Sequence, residues 1–194
     1  MGKYVYFMPV NPVFNLKGWF DENKDTLKPP VGNKLIYEDE DWIVMAVGGP
    51  NSRKDYHYHF RGPEFFFMVK GDMVLQMKKK DSNGKLVNDD AIIKEGEIFL
   101  LPRETIHSPQ RPEGSWGLVL EAKAKQGEID QLHFYCDDCN NLLYKEEFLL
   151  SNIVTELPPL MQKFFDGDSR KCPDCGVYME DPEPFDMSKY LANN

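Results

Sequence analysis

The chain has 194 residues, 41% hydrophobic and 13% aromatic, enough for one globular domain with a small appendage and too apolar for a disordered chain. A net charge of −9 and an isoelectric point near 5.0 argue against a nucleic-acid partner and against an anionic membrane surface. No apolar run approaches the roughly 20 residues of a membrane span, and Pro and Asn interrupt the N-terminal MGKYVYFMPVNPVFN where a signal peptide needs an unbroken apolar stretch. The expected location is the cytoplasm, where four cysteines read as metal ligands and not as disulfides.

Residues 1–34 read as irregular, with PVNP and KPPVGNK framing a short helix over Leu16–Leu27. From Leu35 the pattern changes to short runs rich in β-branched and aromatic residues: LIYED, WIVMAVGG, FFFMVKGDMVLQMKKK, AIIKEGEIFLLP and WGLVLEAKA. SNGK at 82–85 and KGD at 70–72 read as hairpin turns between such strands. Many short strands at this spacing predict an all-β sandwich or barrel. After residue 141 the pattern is mixed, ending in a helix predicted over Pro158–Phe165, and DPEPFDMSKYLANN at the C-terminus shows no pattern.

Two groups of residues carry chemistry. The stretch DYHYHFRGPEFF holds His57, His59 and Glu64, and GEIFLLPRETIH follows with His107. Residues two apart on a strand share a face, so His57 and His59 can both look inward. Two imidazoles and a carboxylate on one face of a barrel leave open positions on a divalent metal, the facial arrangement associated with non-haem Fe(II). The second group is Cys136-Asp-Asp-Cys139 with Cys172-Pro-Asp-Cys175-Gly, two turns that together complete a closed tetrahedral site for Zn or Fe. A closed site has no open position, so its expected role is stability. His133 reads as structural, and Trp19, Trp42 and Trp116 as core.

The spacing His57-x-His59, four residues, Glu64, six residues, Gly71, followed by Gly96, five residues, Pro102, four residues, His107, resembles the two motifs of the cupin superfamily. Longer strings narrow the resemblance. LKPPVGN, VGGPNSRKDYH, EGEIFLLP, HSPQRP and the four-cysteine tail are similar to the 3-hydroxyanthranilate 3,4-dioxygenase family, in its longer, bacterial and fungal type. The resemblance implies a mainly β fold: a single-domain cupin barrel (double-stranded β-helix) over residues 1–130 with its N-terminal extension, and a rubredoxin-like four-cysteine metal-binding segment over 131–194. It implies a homodimer with one catalytic Fe(II), held by His57, Glu64 and His107, that opens the ring of 3-hydroxyanthranilate with O2 on the route to quinolinate and NAD. Arg111 matches the arginine that binds the substrate carboxylate, Arg53 a second active-site arginine, and Glu121 the glutamate that faces the substrate amino and hydroxyl groups as a proton acceptor.

One departure stands out. The family pattern has five residues between its first histidine and the glutamate, whereas this chain has six, 58 to 63. The loop can bulge and leave His57 and Glu64 in place, His59 can join as a fourth ligand, or His59 can replace His57; the first is the expectation carried forward. Two other functions share these residues: a cupin dioxygenase acting on another aminophenol or catechol-like acid, and a non-catalytic metal-binding cupin.

Overall fold

The computed structural model describes residues 11–27, 32–39, 41–149 and 153–193. The N-terminal ten residues and the two prolines of KPPVGNK lie outside these. The described chain opens with α1 (Leu16–Asn23), capped by Asn15, whose Oδ1 accepts a hydrogen bond from Gly18 N at 3.0 Å. A single 3-10 turn over Lys24–Thr26 ends the segment, so the helix expected to run to Leu27 tightens before it gets there.

Twelve strands follow: β1 (Asn33–Glu38), β2 (Trp42–Gly48), β3 (Asp55–Tyr58), β4 (Glu64–Lys70), β5 (Met73–Lys80), β6 (Leu86–Asn88), β7 (Ala91–Ile93), β8 (Ile98–Leu101), β9 (Ile106–Gln110), β10 (Trp116–Ala122), β11 (Asp130–Tyr135) and β12 (Leu142–Phe148). They form two antiparallel sheets. One has the order β1-β2-β10-β4-β8, the other β12-β11-β3-β9-β5-β6 with β7 also paired to β5. This is the expected mainly β architecture of two packed sheets. The strand order positions the site, because β10 lies between β2 and β4, and β9 between β3 and β5. His107 therefore stands opposite His57, and Glu121 opposite Glu64, although each pair is far apart in the chain.

Alternation explains which side chains face inward. In β4, Glu64, Phe66 and Met68 are buried while Phe65, Phe67 and Val69 are only partly covered; in β10, Gly117, Val119 and Glu121 are the buried set. The inward apolar residues Met45, Phe66, Met68, Met73, Leu75, Leu101 and Val119 form the core between the sheets. Each such side chain contributes about 1.5–3 kcal/mol by leaving water.

SNGK closes the β5–β6 hairpin as expected, with Asp81 N donating to Lys85 O at 2.9 Å and Gly84 at φ +79°. KGD is a turn of a different kind. Gly71 has φ +66°, and the chain there passes from β4 in one sheet to β5 in the other, so no hairpin forms. Trp19 and Trp116 pack with Phe20, Leu27 and Ala46 as core, whereas Trp42 is 41% exposed.

The stretch that reads as mixed supplies β12 and then α2 (Ile153–Phe165), which begins five residues before the predicted start and carries Pro158 and Pro159 inside it. Its Leu157 and Phe164 pack on Leu132 and Phe134 of β11 and on Met179, with the Phe134 and Phe164 rings stacked at 3.9 Å. Burial of that face outweighs the preference of proline for a first helical turn. A third helix, α3 (Met187–Asn193), lies in the C-terminal stretch without apparent pattern; Asp186 Oδ1 accepts from Ser188 N and Lys189 N at 2.9 and 3.2 Å. Among the described residues no helix is long and apolar enough to cross a membrane.

Candidate metal centre and substrate cavity

Arg53, His57, Glu64, His107, Arg111 and Glu121, the six residues expected at the catalytic centre, all line one cavity between the sheets. The three side chains whose donor atoms lie within 4.8 Å of one another are His59, Glu64 and His107, all buried. Nε2 of His107 is 3.1 Å and Nε2 of His59 is 3.4 Å from the same oxygen, Oε2 of Glu64. Metal bonds of about 2.1 Å put neighbouring donors about 3.0–3.4 Å apart, so these spacings suit a divalent ion. His107 Nδ1 donates to Thr105 O at 2.9 Å, which leaves the Nε2 lone pair facing Glu64. Neither ring nitrogen of His59 has a hydrogen-bond partner although both are buried, a cost that a metal bond would remove.

His57 is not brought into that group. Its Nε2 lies 2.5 Å from a guanidinium nitrogen of Arg53, and since arginine only donates, this nitrogen is an acceptor and the ring is neutral. Burial and the nearby Arg53 charge lower its pKa to about 4, against the pull of Asp55. The ring stays near the centre all the same, 5.7 Å from the His107 ring. His59 sits one residue beyond the end of β3, on the loop that carries the extra residue, and approaches Glu64 from that side.

The charges around the group are arranged unequally. Burial works to raise the Glu64 carboxyl, but the hydrogen bond and charge of His107, with the nearby His59 imidazole, hold it well below the usual carboxylate range. Burial and the neighbouring Glu64 charge push Glu121 up to about 7, opposed by Arg61 at 3.9 Å. Arg111 is 1% exposed; among the described residues its Nε has no partner and its Nη1 faces the sulfurs of Met73 (2.7 Å) and Met68 (3.9 Å). Burial lowers its pKa to about 10, so it remains charged at neutral pH without a carboxylate within 4.0 Å among the described residues. Gly117 leaves it room, since a Cβ there would come 3.1 Å from Met68 Sδ and 3.6 Å from Arg111 Nη2.

Three buried polar residues of the site escape sequence reasoning. Asp55, fully buried, accepts from both Nε and Nη2 of Arg53 and so fixes its fork. Arg61, from the lengthened loop, pairs with Asp130 at the start of β11 and reaches toward Glu121. A signal was present only for Asp55, which precedes His57 by two positions and therefore shares its strand face. Arg61 and Asp130 are 69 positions apart and meet only because β11 pairs with β3.

The four cysteines converge as expected. Sγ of Cys136 and Cys175 are 3.4 Å apart, those of Cys139 and Cys172 are 3.6 Å apart, and none is in a disulfide. Bonds of about 2.3 Å place tetrahedral thiolates about 3.8 Å apart, so the group fits a closed metal site. The two turns repeat one geometry. Cys136 N donates to Asn141 O and Asn140 N to Cys136 O, while Cys172 N donates to Val177 O and Gly176 N to Cys172 O. The position that closes each turn has positive φ, 60° at Asn140 and 79° at Gly176, a conformation that Asn and Gly tolerate best.

The chain is similar to known proteins over most of its length. Proteins named 3-hydroxyanthranilate 3,4-dioxygenase from Jannaschia sp. (strain CCS1) and Ruegeria pomeroyi are 48% and 47% identical over 173 residues, each covering 88% of this chain and 93% of theirs. One from Xanthomonas euvesicatoria pv. vesicatoria is 45% identical over 175 residues, covering 90% of this chain and 96% of its own. The solved structure of a cupin-2 domain containing protein from Shewanella frigidimarina overlaps 53% of the chain and 92% of that protein at 20% identity, with a TM-score of 0.38. The profile of the family described as 3-hydroxyanthranilic acid dioxygenase matches residues 8–165, and the chain belongs to that family.

Proposed function

We propose that this protein is an Fe(II)-dependent 3-hydroxyanthranilate 3,4-dioxygenase, converting 3-hydroxyanthranilate and O2 to 2-amino-3-carboxymuconate semialdehyde. Both oxygen atoms enter the product, so no external reductant is required. The observation that carries this reading is Arg111: a buried guanidinium without a carboxylate partner, in the cavity that also holds Glu64, His107 and Glu121. Leaving it unpaired costs energy unless a ligand carboxylate fills the place, and its fork matches one bidentately.

His59, Glu64 and His107 would hold the iron. Bound there, Fe(II) supplies a meeting point for the aminophenol and O2 and a path for electrons between them. The remaining work belongs to the chain. Arg111 anchors the carboxylate and sets the orientation of the ring. Arg53, held and charge-balanced by Asp55, lines the cavity as a second N–H donor. Glu121, poised at about 7, accepts the proton of the substrate hydroxyl. Anaerobic loading with Fe(II), then addition of 3-hydroxyanthranilate and air, should produce the near-ultraviolet absorbance of the semialdehyde; iron-loaded protein without turnover would overturn the assignment.

A second reading keeps His57 as the ligand, as the family resemblance implies. It is favoured by His57 lining the same cavity as Glu64 and His107. Iron content separates the two: His59→Ala should lose bound iron while His57→Ala retains it, and the reverse pattern supports the second reading.

The four-cysteine group would hold Zn or Fe as a structural ion. We also read the protein as a cytoplasmic homodimer. The free cysteines support the reducing compartment. The outer face of the first sheet supports the dimer: Ile98 and Leu100 are 65% and 60% exposed beside the half-buried Phe67 and Phe65. Light scattering of the wild type and of Leu100→Glu should give a dimer and a monomer, and a monomeric wild type would remove this part of the reading.

A further inference from the structure

The cavity of largest interest outside the metal centre lies on the opposite face of the second sheet. It measures about 330 Å3 and is bounded by the outward residues of β3, β5 and β9 and by the C-terminal segment 182–193, which includes α3. Tyr190 of α3 donates to Asp90 Oδ2 at 2.9 Å and fastens that segment to the sheet.

Lys78 lines this cavity and is only 7% exposed. Its ammonium donates to two neutral carbonyl oxygens, Asn88 Oδ1 at 3.0 Å and Asn140 Oδ1 at 2.6 Å, and lies 4.5 and 5.0 Å from the ring centroids of Tyr56 and Tyr135. Two of three N–H groups are thereby used. Among the described residues no carboxylate comes within 4.0 Å of it. Of the other wall cations, Lys54 is paired with Asp137 at 2.7 Å and Arg53 with Asp55, while Lys189, on α3, is exposed to solvent. Ser52, also on the wall, has a buried hydroxyl without a hydrogen-bond partner. The cavity thus offers one buried positive charge without a carboxylate partner, one spare hydroxyl and an aromatic wall.

That combination selects its ligand by chemistry. A phosphate or other polyanion needs several buried cations, and the acidic Glu183 and Asp186 on the same wall would repel it. A monocarboxylate needs one ammonium, and a planar ring suits tyrosine faces. We propose that this cavity is a second ligand site for a small aromatic carboxylic acid, with the carboxylate on Lys78 and the ring beside Tyr56 and Tyr135. Burial depresses the Lys78 pKa to about 8, against the pull of Asp90 and Asp137, and an incoming carboxylate would compensate that burial. Because Arg53 borders both this cavity and the substrate cavity, an occupant here abuts the catalytic centre from outside the barrel.

The probe is 4-bromobenzoate, which has a carboxylate and a ring and lacks the amino and hydroxyl groups needed to chelate iron. It would be titrated into the iron-loaded protein by calorimetry and soaked into its crystals for bromine anomalous scattering. The expected result is bromine density beside Tyr56 and Tyr135, and an affinity at least tenfold weaker in Lys78→Gln than in the wild type. Lys78→Gln should keep wild-type ring cleavage within about twofold, which shows that it folds. Bromine density only beside Arg111, or equal affinity in wild type and Lys78→Gln, overturns the proposal. The density in the wild type decides the matter even if the variant does not fold.

Discussion

The two donor groups of this protein are built by opposite means. Each cysteine pair is a short turn closed by its own backbone, so the local sequence prepares two ligands at once and the fold has only to bring two turns together. The His59, Glu64 and His107 group has no such local unit. Its members come from a loop after β3, the start of β4 and the second position of β9, and their spacing depends on strand register. The cysteine group offers four like donors, the pattern of a closed structural ion. The histidine group has three donors beside a cavity with a buried guanidinium, and a metal held there would have positions left for a ligand. Local preparation suits a metal that holds structure, and assembly from register suits one that must face a substrate.

The contrast can be tested most strongly at the register-built site. Glu64→Gln removes the carboxylate that both imidazoles face, and we expect it to lower ring cleavage by about 10³-fold or more together with loss of bound iron. Retention of iron and rate would mean that the carboxylate is not a ligand. Next in size is Arg111→Gln. Losing a buried charge-assisted pair of about 2–3 kcal/mol should reduce kcat/KM by roughly 30- to 200-fold, with iron content unchanged. An unaltered kcat/KM for 3-hydroxyanthranilate would remove Arg111 from substrate binding.

At the locally built site the effect should fall on stability and not on chemistry. Cys172→Ser, or chelation of the ion held by the four cysteines, is expected to lower Tm by about 10 °C while kcat per bound iron stays within about twofold. A large fall in kcat at constant iron content would show that the two groups do not divide the labour in this way.

The smallest expected effect concerns β11, which joins the regions by pairing with β3 and leading into Cys136. His133 on this strand is 7% exposed, and burial together with the Lys145 charge lowers its pKa to about 4. A histidine free in the unfolded chain titrates near 6.5. Protons therefore bind the unfolded state first as pH falls, so the contribution of His133 is full above pH 6.5 and is lost between 6.5 and about 4. It amounts to on the order of 2 kcal/mol. Denaturant melts at pH 7 and pH 5 should show the wild type losing more stability than His133→Asn, and parallel losses would assign the pH dependence elsewhere.

Much of this molecule was legible in its residues. Alternation in FFFMVKGDMVLQ and WGLVLE marks the core strands, and the offsets among His57, Glu64, Gly71, Gly96, Pro102 and His107 mark the metal region. The paired Cys-x-x-Cys turns need almost nothing beyond themselves. What remained illegible has a common cause: KGD looks like any tight turn, and only the packing of two sheets makes it a crossing between them. The start of α2 before two prolines follows from the apolar face that Phe134 and Met179 offer, which local propensity does not contain.

The sequence alone determined the composition of the site: which residue types are present, at what offsets, and in which family. Tertiary structure decided which imidazole reaches Glu64, that Arg61 and Asp130 meet beside Glu121, and that Lys78 is buried without a carboxylate. Residue types and offsets belong to one strand at a time. Contacts between strands depend on register and loop length, and here the loop after β3 sets His59 Nε2 3.4 Å from Oε2 of Glu64.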